Sequence, residues 1–206
     1  MPVATRLRKK KALRRMPRVT LRDVIRNTAR ELFAKEGYQS VSMRRIAAEI
    51  GCSPMAMYRH FADKDDLLLS ICEETFDQMN RLLDKEHQKF LPPLETLRAS
   101  VSTIMDFHVS HPNHFRVTYL TSLPSGPLRE RKAVMARGTV DRLRNGIREC
   151  AEAKGIGIDV ETMTQMIRVA IHGFASIMIN THPVCPLGNP QQLKQQLVRT
   201  LTRELE

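Results

Sequence analysis

No stretch of the sequence is apolar over the roughly 18 residues that a membrane-spanning helix needs, and no apolar segment follows the N-terminal cations as in a secretory signal. We therefore expect no membrane partner. The cysteines have neither the pairing of a disulfide framework nor the spacing of a metal site. We expect a cytoplasmic protein in which all of them stay reduced: Cys52, Cys72, Cys150 and Cys185.

Catalytic motifs are also missing. The sequence has no glycine-rich phosphate loop, nucleophile elbow or zinc-protease helix, so we expect neither an enzyme nor a cofactor. Its only metal-like cluster is His108, His111 and His114. His108 and His111 can share a helix face, but Pro112 breaks the backbone before His114, and no thiol or carboxylate stands at ligand spacing. We interpret these histidines as structural and predict no metal site.

Acidic residues are absent from residues 1–18, which carry eight cations and a charge of +8, out of a net +11 for the chain. Like charges repel and few apolar groups offer burial, so the segment is predicted to be a disordered basic arm. Such an arm is typical of polyanion binding, although a merely solubilising tail has the same composition.

Further along the chain, two short helical patterns follow each other with almost nothing between them. Ser42 is a good N-cap, and apolar residues then recur at helical spacing up to Gly51, which tolerates the positive φ of a helix end. Ser53 caps again, with Pro54 at the first helical position and the second helix running to about Phe61. The pattern predicts a helix-turn-helix, whose second helix can enter a DNA major groove.

The second helix shows DNA-compatible chemistry to solvent once Met57 and Phe61 turn inward. An ordinary helical hairpin is the alternative, but phosphates and base edges call for the small tips, hydroxyls and cations found here. The cap Ser53 belongs to the same surface. We predict base-edge contacts for five residues: Arg44, Pro54, Met55, Ala56 and Arg59. Four more residues are predicted to hold phosphates: Ser42, Tyr58, His60 and Lys64.

The run SMRRIAAEIGCSPMAMYRHFADKDDLL resembles the N-terminal DNA-binding domain of the TetR family of transcriptional regulators, and the resemblance covers roughly Leu21 to Leu83. It implies an N-terminal three-helix helix-turn-helix domain and a C-terminal helical domain for ligand binding and dimerisation. Beside such a domain, the basic arm is predicted to bind DNA. The resemblance rests on these residues: Ser42, Ile46, Ala47, Gly51, Ser53, Tyr58, Arg59, His60, Phe61, Lys64 and Leu67.

Helical patterning continues to the C-terminus without the period-2 alternation of strands, so the predicted fold class is all-α. We place the basic arm at residues 1–18, the helix-turn-helix domain at 19–66 and the ligand-binding and dimerisation domain at 67–206. A long helix over about 64–84 belongs to both domains. Later helices are predicted over about 94–108, 113–120, 128–153, 160–180 and 189–206.

The last two predicted helices are candidates for a dimer interface. The family resemblance places the dimer contacts on residues 160–180 and 189–206, which would pair across a two-fold axis as a four-helix bundle. One helix-turn-helix reads only a few base pairs, too few for a genome-scale search. A homodimer on a palindromic site is therefore expected.

A ligand pocket is predicted in the C-terminal half. Its methionines serve mainly as core filling, but their adaptable side chains also suit a mostly apolar pocket. Residues 106–119 and 167–174 resemble parts of some TetR relatives, the second a Trp-x-x-x-His-Gly motif with Arg168 in place of Trp. The predicted lining comprises seven residues: Phe107, His108, Phe115, Tyr119, Met135, Met163 and His172.

Together these patterns indicate a sequence-specific DNA-binding transcriptional regulator, and release of a repressor from a palindromic operator by an unknown small molecule is the leading interpretation. Activation, or the absence of a ligand, remains open. A different class of function is an architectural or sequence-blind nucleic-acid binder that uses the arm and general basicity. A small-molecule binding or catalytic domain with a vestigial head is disfavoured because no catalytic constellation is present.

Overall fold

The computed structural model describes residues 19–123, 126–181 and 188–206, so the predicted basic arm lies outside the described residues. Every element in these ranges is helical, which confirms the all-α prediction. None of these helices is both long and apolar enough to cross a bilayer. In chain order the elements are α1 (Leu21–Glu36), α2 (Met43–Ile50), α3 (Pro54–Tyr58), α4 (Lys64–His87), α5 (Pro93–Ser110), α6 (Pro112–Phe115), a π-helical turn (Arg116–Leu120), α7 (Pro127–Lys154), α8 (Val160–Asn180), α9 (Pro190–Leu201) and a 3-10 turn (Arg203–Leu205).

The helices α1 to α3 form the N-terminal head, and local capping explains their bounds. Thr20 and Asp23 exchange hydrogen bonds at 3.1 and 3.2 Å in a capping box that opens α1. The Ser42 and Ser53 side chains cap α2 and α3 by accepting backbone N–H groups at 3.1 and 3.2 Å. Gly51 ends α2 at a φ of 75°, a left-handed conformation that favours glycine. The caps predicted from the sequence at Ser42, Gly51 and Ser53 are therefore confirmed.

The long helix α4 joins the head to the rest of the molecule. It packs against α1 in the head and against α5 and α7 in the C-terminal half. Apolar side chains are buried along its length, from Leu67 to Leu83, and they belong to one continuous core. The helix α4 is therefore packed into both halves of the molecule.

Several element bounds differ from the sequence predictions. The helix α3 ends at Tyr58 rather than near Phe61, because the chain must reverse before Asp63 caps α4 through the Asp66 N–H at 2.7 Å. Phe61 is nevertheless buried, as predicted. The helix α4 continues three residues beyond Asp84, and α9 ends before the C-terminus. The helix predicted over about 113–120 is divided in the structure into α6 and the π-helical turn, and the π-helical form was not predicted.

Candidate DNA-binding surface and ligand cavity

The start of α2 and the whole of α3 bring the predicted DNA contacts to the surface. Met57 and Phe61 are only 0% and 1% exposed and anchor α3 to the head, whereas Met55 and Tyr58 are 67% and 51% exposed. The helix α3, which is the predicted recognition helix, therefore shows the expected side to solvent. The other predicted contacts are exposed or half-exposed: Ser42, Arg44, Ser53, Pro54, Ala56, Arg59, His60 and Lys64.

The arginines of this surface differ in their neighbours. Among the described residues, no carboxylate lies within 4.0 Å of the guanidinium of Arg44 or Arg59. Arg45, by contrast, pairs with Glu49 at 2.6 Å and with Glu36 at 3.2 Å. A paired guanidinium has part of its donor fork occupied, so Arg44 and Arg59 are better placed to engage a base or a phosphate.

Two cations near the recognition helix make structural contacts that sequence reasoning missed. Lys64 Nζ donates to the backbone carbonyl of Tyr38 at 2.9 Å and lies 4.3 Å from the centre of the Tyr38 side-chain ring. These contacts join the turn before α2 to the start of α4. Arg22 donates to the His60 carbonyl and lies 4.2 Å over the Phe61 ring. These long-range contacts hold the end of α3 against the head. An ammonium has three donors, so the role of Lys64 at a phosphate stays a prediction.

A small cavity lies in the C-terminal half, enclosed by α4, α5, α7, α8 and the π-helical turn. Its volume is about 40 Å³, the space of about three waters. The apolar part of its wall comes from seven residues: Phe76, Met79, Ile104, Ala136, Val140, Leu143 and Ile171. The polar part comes from five residues: His108, Tyr119, Thr139, Arg168 and His172.

An outer cleft of about 430 Å³ adjoins this cavity, and Tyr119, Ala136 and Arg168 stand in the walls of both. The cleft adds two more cations, Arg129 and Lys132. In the described part of the chain, no carboxylate comes within 4.0 Å of these three cations. Burial lowers the pKa of Lys132, because its ammonium has lost part of its hydration. The cleft is therefore suited to an anion.

Three of the five polar residues of the cavity wall form a cluster of neutral rings. The rings of Tyr119 and His172 are 4.4 Å apart, and those of His108 and His172 stack at 5.8 Å. Burial lowers the pKa of His108 to about 3 and that of His172 to about 4, so both imidazoles are neutral at pH 7. Burial also raises the pKa of Tyr119, which keeps its hydroxyl protonated. His108 Nδ1 is buried and has no hydrogen-bond partner among the described residues.

The other two histidines have the structural roles that the sequence predicted. His111 Nδ1 lies 2.9 Å from the Phe107 carbonyl at the end of α5, and His114 Nδ1 lies 2.9 Å from Thr75 Oγ1 on α4. Within residues 19–123, 126–181 and 188–206, no group of three His, Cys, Asp or Glu side chains is arranged to hold a metal ion.

The structure places only His108, Tyr119 and His172, of the seven predicted pocket residues, in the cavity wall. Phe115 is 1% exposed and packs behind two of them, with its ring 5.2 Å from that of His108 and 5.4 Å from that of Tyr119. The remaining three do not reach the cavity wall, because they fill or cover the core instead: Phe107, Met135 and Met163.

Most of the cavity and cleft was not visible in the sequence. The apolar wall comes from helices far apart in the chain, and its residues are ordinary members of amphipathic stripes. Arg129 and Lys132 gave a weak signal, because they lie three residues apart at the start of α7 and so share a face. The arginine at the Trp position of the His-Gly motif, Arg168, was the clearest clue.

The exposed helix-turn-helix, and the long helix that runs from it into a second helical unit, define a DNA-binding protein of the helix-turn-helix class. Residues 25–71 match the family described as bacterial regulatory proteins, tetR family, and residues 97–201 match the family described as tetracyclin repressor-like, C-terminal domain. The chain belongs to the tetR family of bacterial transcriptional regulators, which confirms the resemblance seen in the sequence.

Solved structures share this fold at low sequence identity. FadR from Bacillus subtilis, solved with stearoyl-CoA, is 22% identical with a TM-score of 0.76, covering 86% of this chain and 96% of that one. A tetR-family regulator from Rhodococcus RHA1 is 22% identical with a TM-score of 0.73, covering 89% and 96%. AibR, solved with isovaleryl coenzyme A and operator DNA, is 20% identical with a TM-score of 0.73, covering 87% and 96%.

Proposed function

We propose that this chain is a homodimeric repressor that binds a palindromic operator and leaves it when a small acyl thioester occupies the C-terminal cavity. The observation that carries the DNA-binding part is the exposed recognition surface, in which Arg44 and Arg59 have no carboxylate neighbour among the described residues. As a regulator rather than an enzyme, the protein acts in the cytoplasm, where the DNA lies.

The proposed DNA contacts divide into readers and anchors. Arg44 is suited to guanine, and the exposed Met55 and half-exposed Ala56 are suited to thymine methyl groups. Tyr58 and Lys64 hold phosphates, together with Ser42 and His60, and these contacts position the head without reading sequence.

The proposed dimer interface is an apolar stripe on α8. Met166, Val169 and Ile177 are 57%, 72% and 42% exposed, and their spacing with the exposed Gly173 places them on one helix face. Leu193 on α9 is 40% exposed. A stripe of this kind on a folded protomer is typical of an interaction surface. Two copies of α8 and α9 across a two-fold axis would cover it as a four-helix bundle.

The proposed ligand chemistry is supported by the two adjoining spaces. The cavity accepts an apolar group, and the cationic cleft accepts an anionic head, as an acyl-CoA requires. Two structural relatives were solved with such compounds, FadR with stearoyl-CoA and AibR with isovaleryl coenzyme A.

The route from the cavity to the head runs through α4. Phe76 of α4 is in the cavity wall, with its ring 6.1 Å from that of Tyr119 on the π-helical turn. Thr75 and Thr118 directly precede Phe76 and Tyr119 in the sequence. They form a second contact between α4 and the π-helical turn, because Thr118 Oγ1 donates to Thr75 Oγ1 at 3.2 Å. A ligand that moves Tyr119 therefore acts on α4 directly. The ligand can shift the equilibrium between the DNA-binding conformation and the released conformation only by the difference between its binding free energies for the two.

Replacing Arg44 with alanine is expected to cost about 1–3 kcal/mol on the best operator and to relax the preference at one position in each half-site, because a base-edge contact is lost. The measurement is selection of bound sequences from a random DNA pool, followed by titration of the preferred site. Arg45→Ala is the matched control. Its exposed ion pairs contribute less than about 1 kcal/mol, and the preferred sequence should not change. If Arg44→Ala also selects the parental sequence, Arg44 is not a reader.

A further inference from the structure

The inner cavity ends against the protein core. Met79, Leu143 and Ile171 of its wall are 1%, 3% and 2% exposed and belong to the continuous core. Side chains packed at core density do not accommodate extra methylene groups without strain. The cavity volume of about 40 Å³ is that of about three waters, or of a group of about three or four carbons.

The outer cleft has the opposite character. It is about 430 Å³ in volume and is lined by the cations Arg129, Lys132 and Arg168 together with the hydroxyls of Thr121 and Ser122. Guanidinium and ammonium groups are the usual ligands of phosphates in proteins. A head that bears several phosphate charges can engage all three cations and neutralise more of their charge than the single negative charge of a carboxylate can.

The junction between the two spaces favours a neutral polar group. His108 offers a buried imidazole whose Nδ1 has no partner among the described residues, and His172 and Tyr119 stand beside it. A carbonyl oxygen can accept a hydrogen bond from a neutral imidazole. A carboxylate placed among these rings would lose its hydration, and the half-exposed Arg168 is the one cation among the described residues of the cavity wall that could offset this loss.

We propose that the site selects a short, compact acyl group joined through a neutral carbonyl to a polyanionic head, and that it rejects long acyl chains and free acids. The inference deepens the proposed acyl thioester site and rests on it. The specificity-determining residues are Leu143 and Val140 for chain length, and Arg129, Lys132 and Arg168 for the head.

The first test is calorimetric titration of the full chain, without DNA, with isovaleryl-CoA, dodecanoyl-CoA, isovalerate and coenzyme A. Isovaleryl-CoA is expected to bind at least about tenfold more tightly than each of the other three, because only it fills both spaces without straining the core. Equal or tighter binding of dodecanoyl-CoA, isovalerate or coenzyme A overturns the proposal. So does the absence of isovaleryl-CoA binding up to about 1 mM.

The second test changes the length of the cavity. Leu143→Ala removes core side chain at the cavity wall, and Val140→Ala does so at a half-buried position where folding is less at risk. Each folded variant is expected to raise the affinity for dodecanoyl-CoA relative to isovaleryl-CoA by at least about fivefold. An unchanged ratio in a variant with the parental circular dichroism spectrum contradicts the assignment of chain-length selection to this wall.

The third test removes the charge of the cleft. Arg129→Ala/Lys132→Ala is expected to weaken isovaleryl-CoA binding at least about tenfold. Arg137→Ala/Arg148→Ala removes the same charge from exposed positions of α7 outside the cleft and should leave the affinity within about twofold. Equal losses in the two double variants contradict a specific head site. Operator binding is measured on all proteins without ligand, so a failure of the ligand proposal is distinguishable from a failure of the DNA-binding proposal.

Discussion

Replacing Val169 with glutamate is expected to leave the protomer folded but monomeric, and to lower operator affinity by about 10²-fold or more. Val169 is 72% exposed on α8, so a carboxylate there is solvated in the isolated protomer. In the proposed dimer the same carboxylate is buried in an apolar interface, and the two-fold axis supplies a second copy nearby. A monomer presents one recognition helix at a time and loses the gain from engaging both half-sites.

The matched control for this prediction is Val134→Glu. Val134 is 56% exposed on α7 and lies outside the α8–α9 stripe, so the same change of charge should leave both assembly and operator binding unaltered. Sedimentation velocity reports the mass, and a labelled operator titration reports the affinity. A Val169→Glu protein that remains a dimer with parental operator affinity would show that the interface is elsewhere.

Deleting residues 1–18 is expected to weaken DNA binding at least about tenfold near physiological salt and to leave the preferred palindrome unchanged. The segment carries eight cations and no acid, so it can track phosphates or enter the minor groove beside the recognition helix. Each phosphate that it neutralises contributes about 0.9 to the slope of log affinity against log salt, so the slope should fall by several units.

A graded variant separates charge from chain length in this second prediction. Lys9→Gln/Lys10→Gln/Lys11→Gln keeps the length of the arm and removes three of its eight cations, so its slope should lie between those of the parent and the deletion. A loss of preference for flanking A·T pairs in the deletion would assign the arm to the minor groove. A deletion that binds as tightly as the parent, with the same salt dependence, would exclude a role for the arm.

The helix-turn-helix was predictable from the sequence because its geometry is set locally. Ser42, Gly51 and Ser53 each act on backbone groups within a few residues, and the structure has all three caps where the sequence placed them. The helices α7 and α8 were also predicted within one residue at each end, because proline, glycine and aspartate mark their ends in the sequence.

The ligand cavity was only partly predictable because it is a property of packing between distant elements. Phe76 and Leu143 are 67 residues apart and read in the sequence as ordinary core positions. They line a cavity because the side chains of several helices leave a gap where these helices meet. The prediction from aromatic and methionine content therefore found the polar rings of the wall, and it also selected Phe107 and Met163, which fill the core instead.

The π-helical turn and the contacts of Arg22 and Lys64 escaped prediction for the same reason. Nothing in the local pattern of residues 116–120 distinguishes a wide turn from an α-helix. The hydrogen bonds of the two cations join residues 38 and 26 positions apart, respectively. Such contacts become visible only when the tertiary structure brings the partners together.

In the proposed homodimer, the α2–α3 units of two protomers read the two half-sites of a palindromic DNA sequence. Selection from a random duplex pool by the full chain tests this reading most directly. The expected result is one enriched palindrome whose half-sites are about 10 base pairs apart or a multiple of that, with the preference relaxed at one position in each half-site in Arg44→Ala. A sequence-blind binder would also bind the pool tightly at low salt. Recovery of bound DNA without any enriched sequence would therefore contradict the claim.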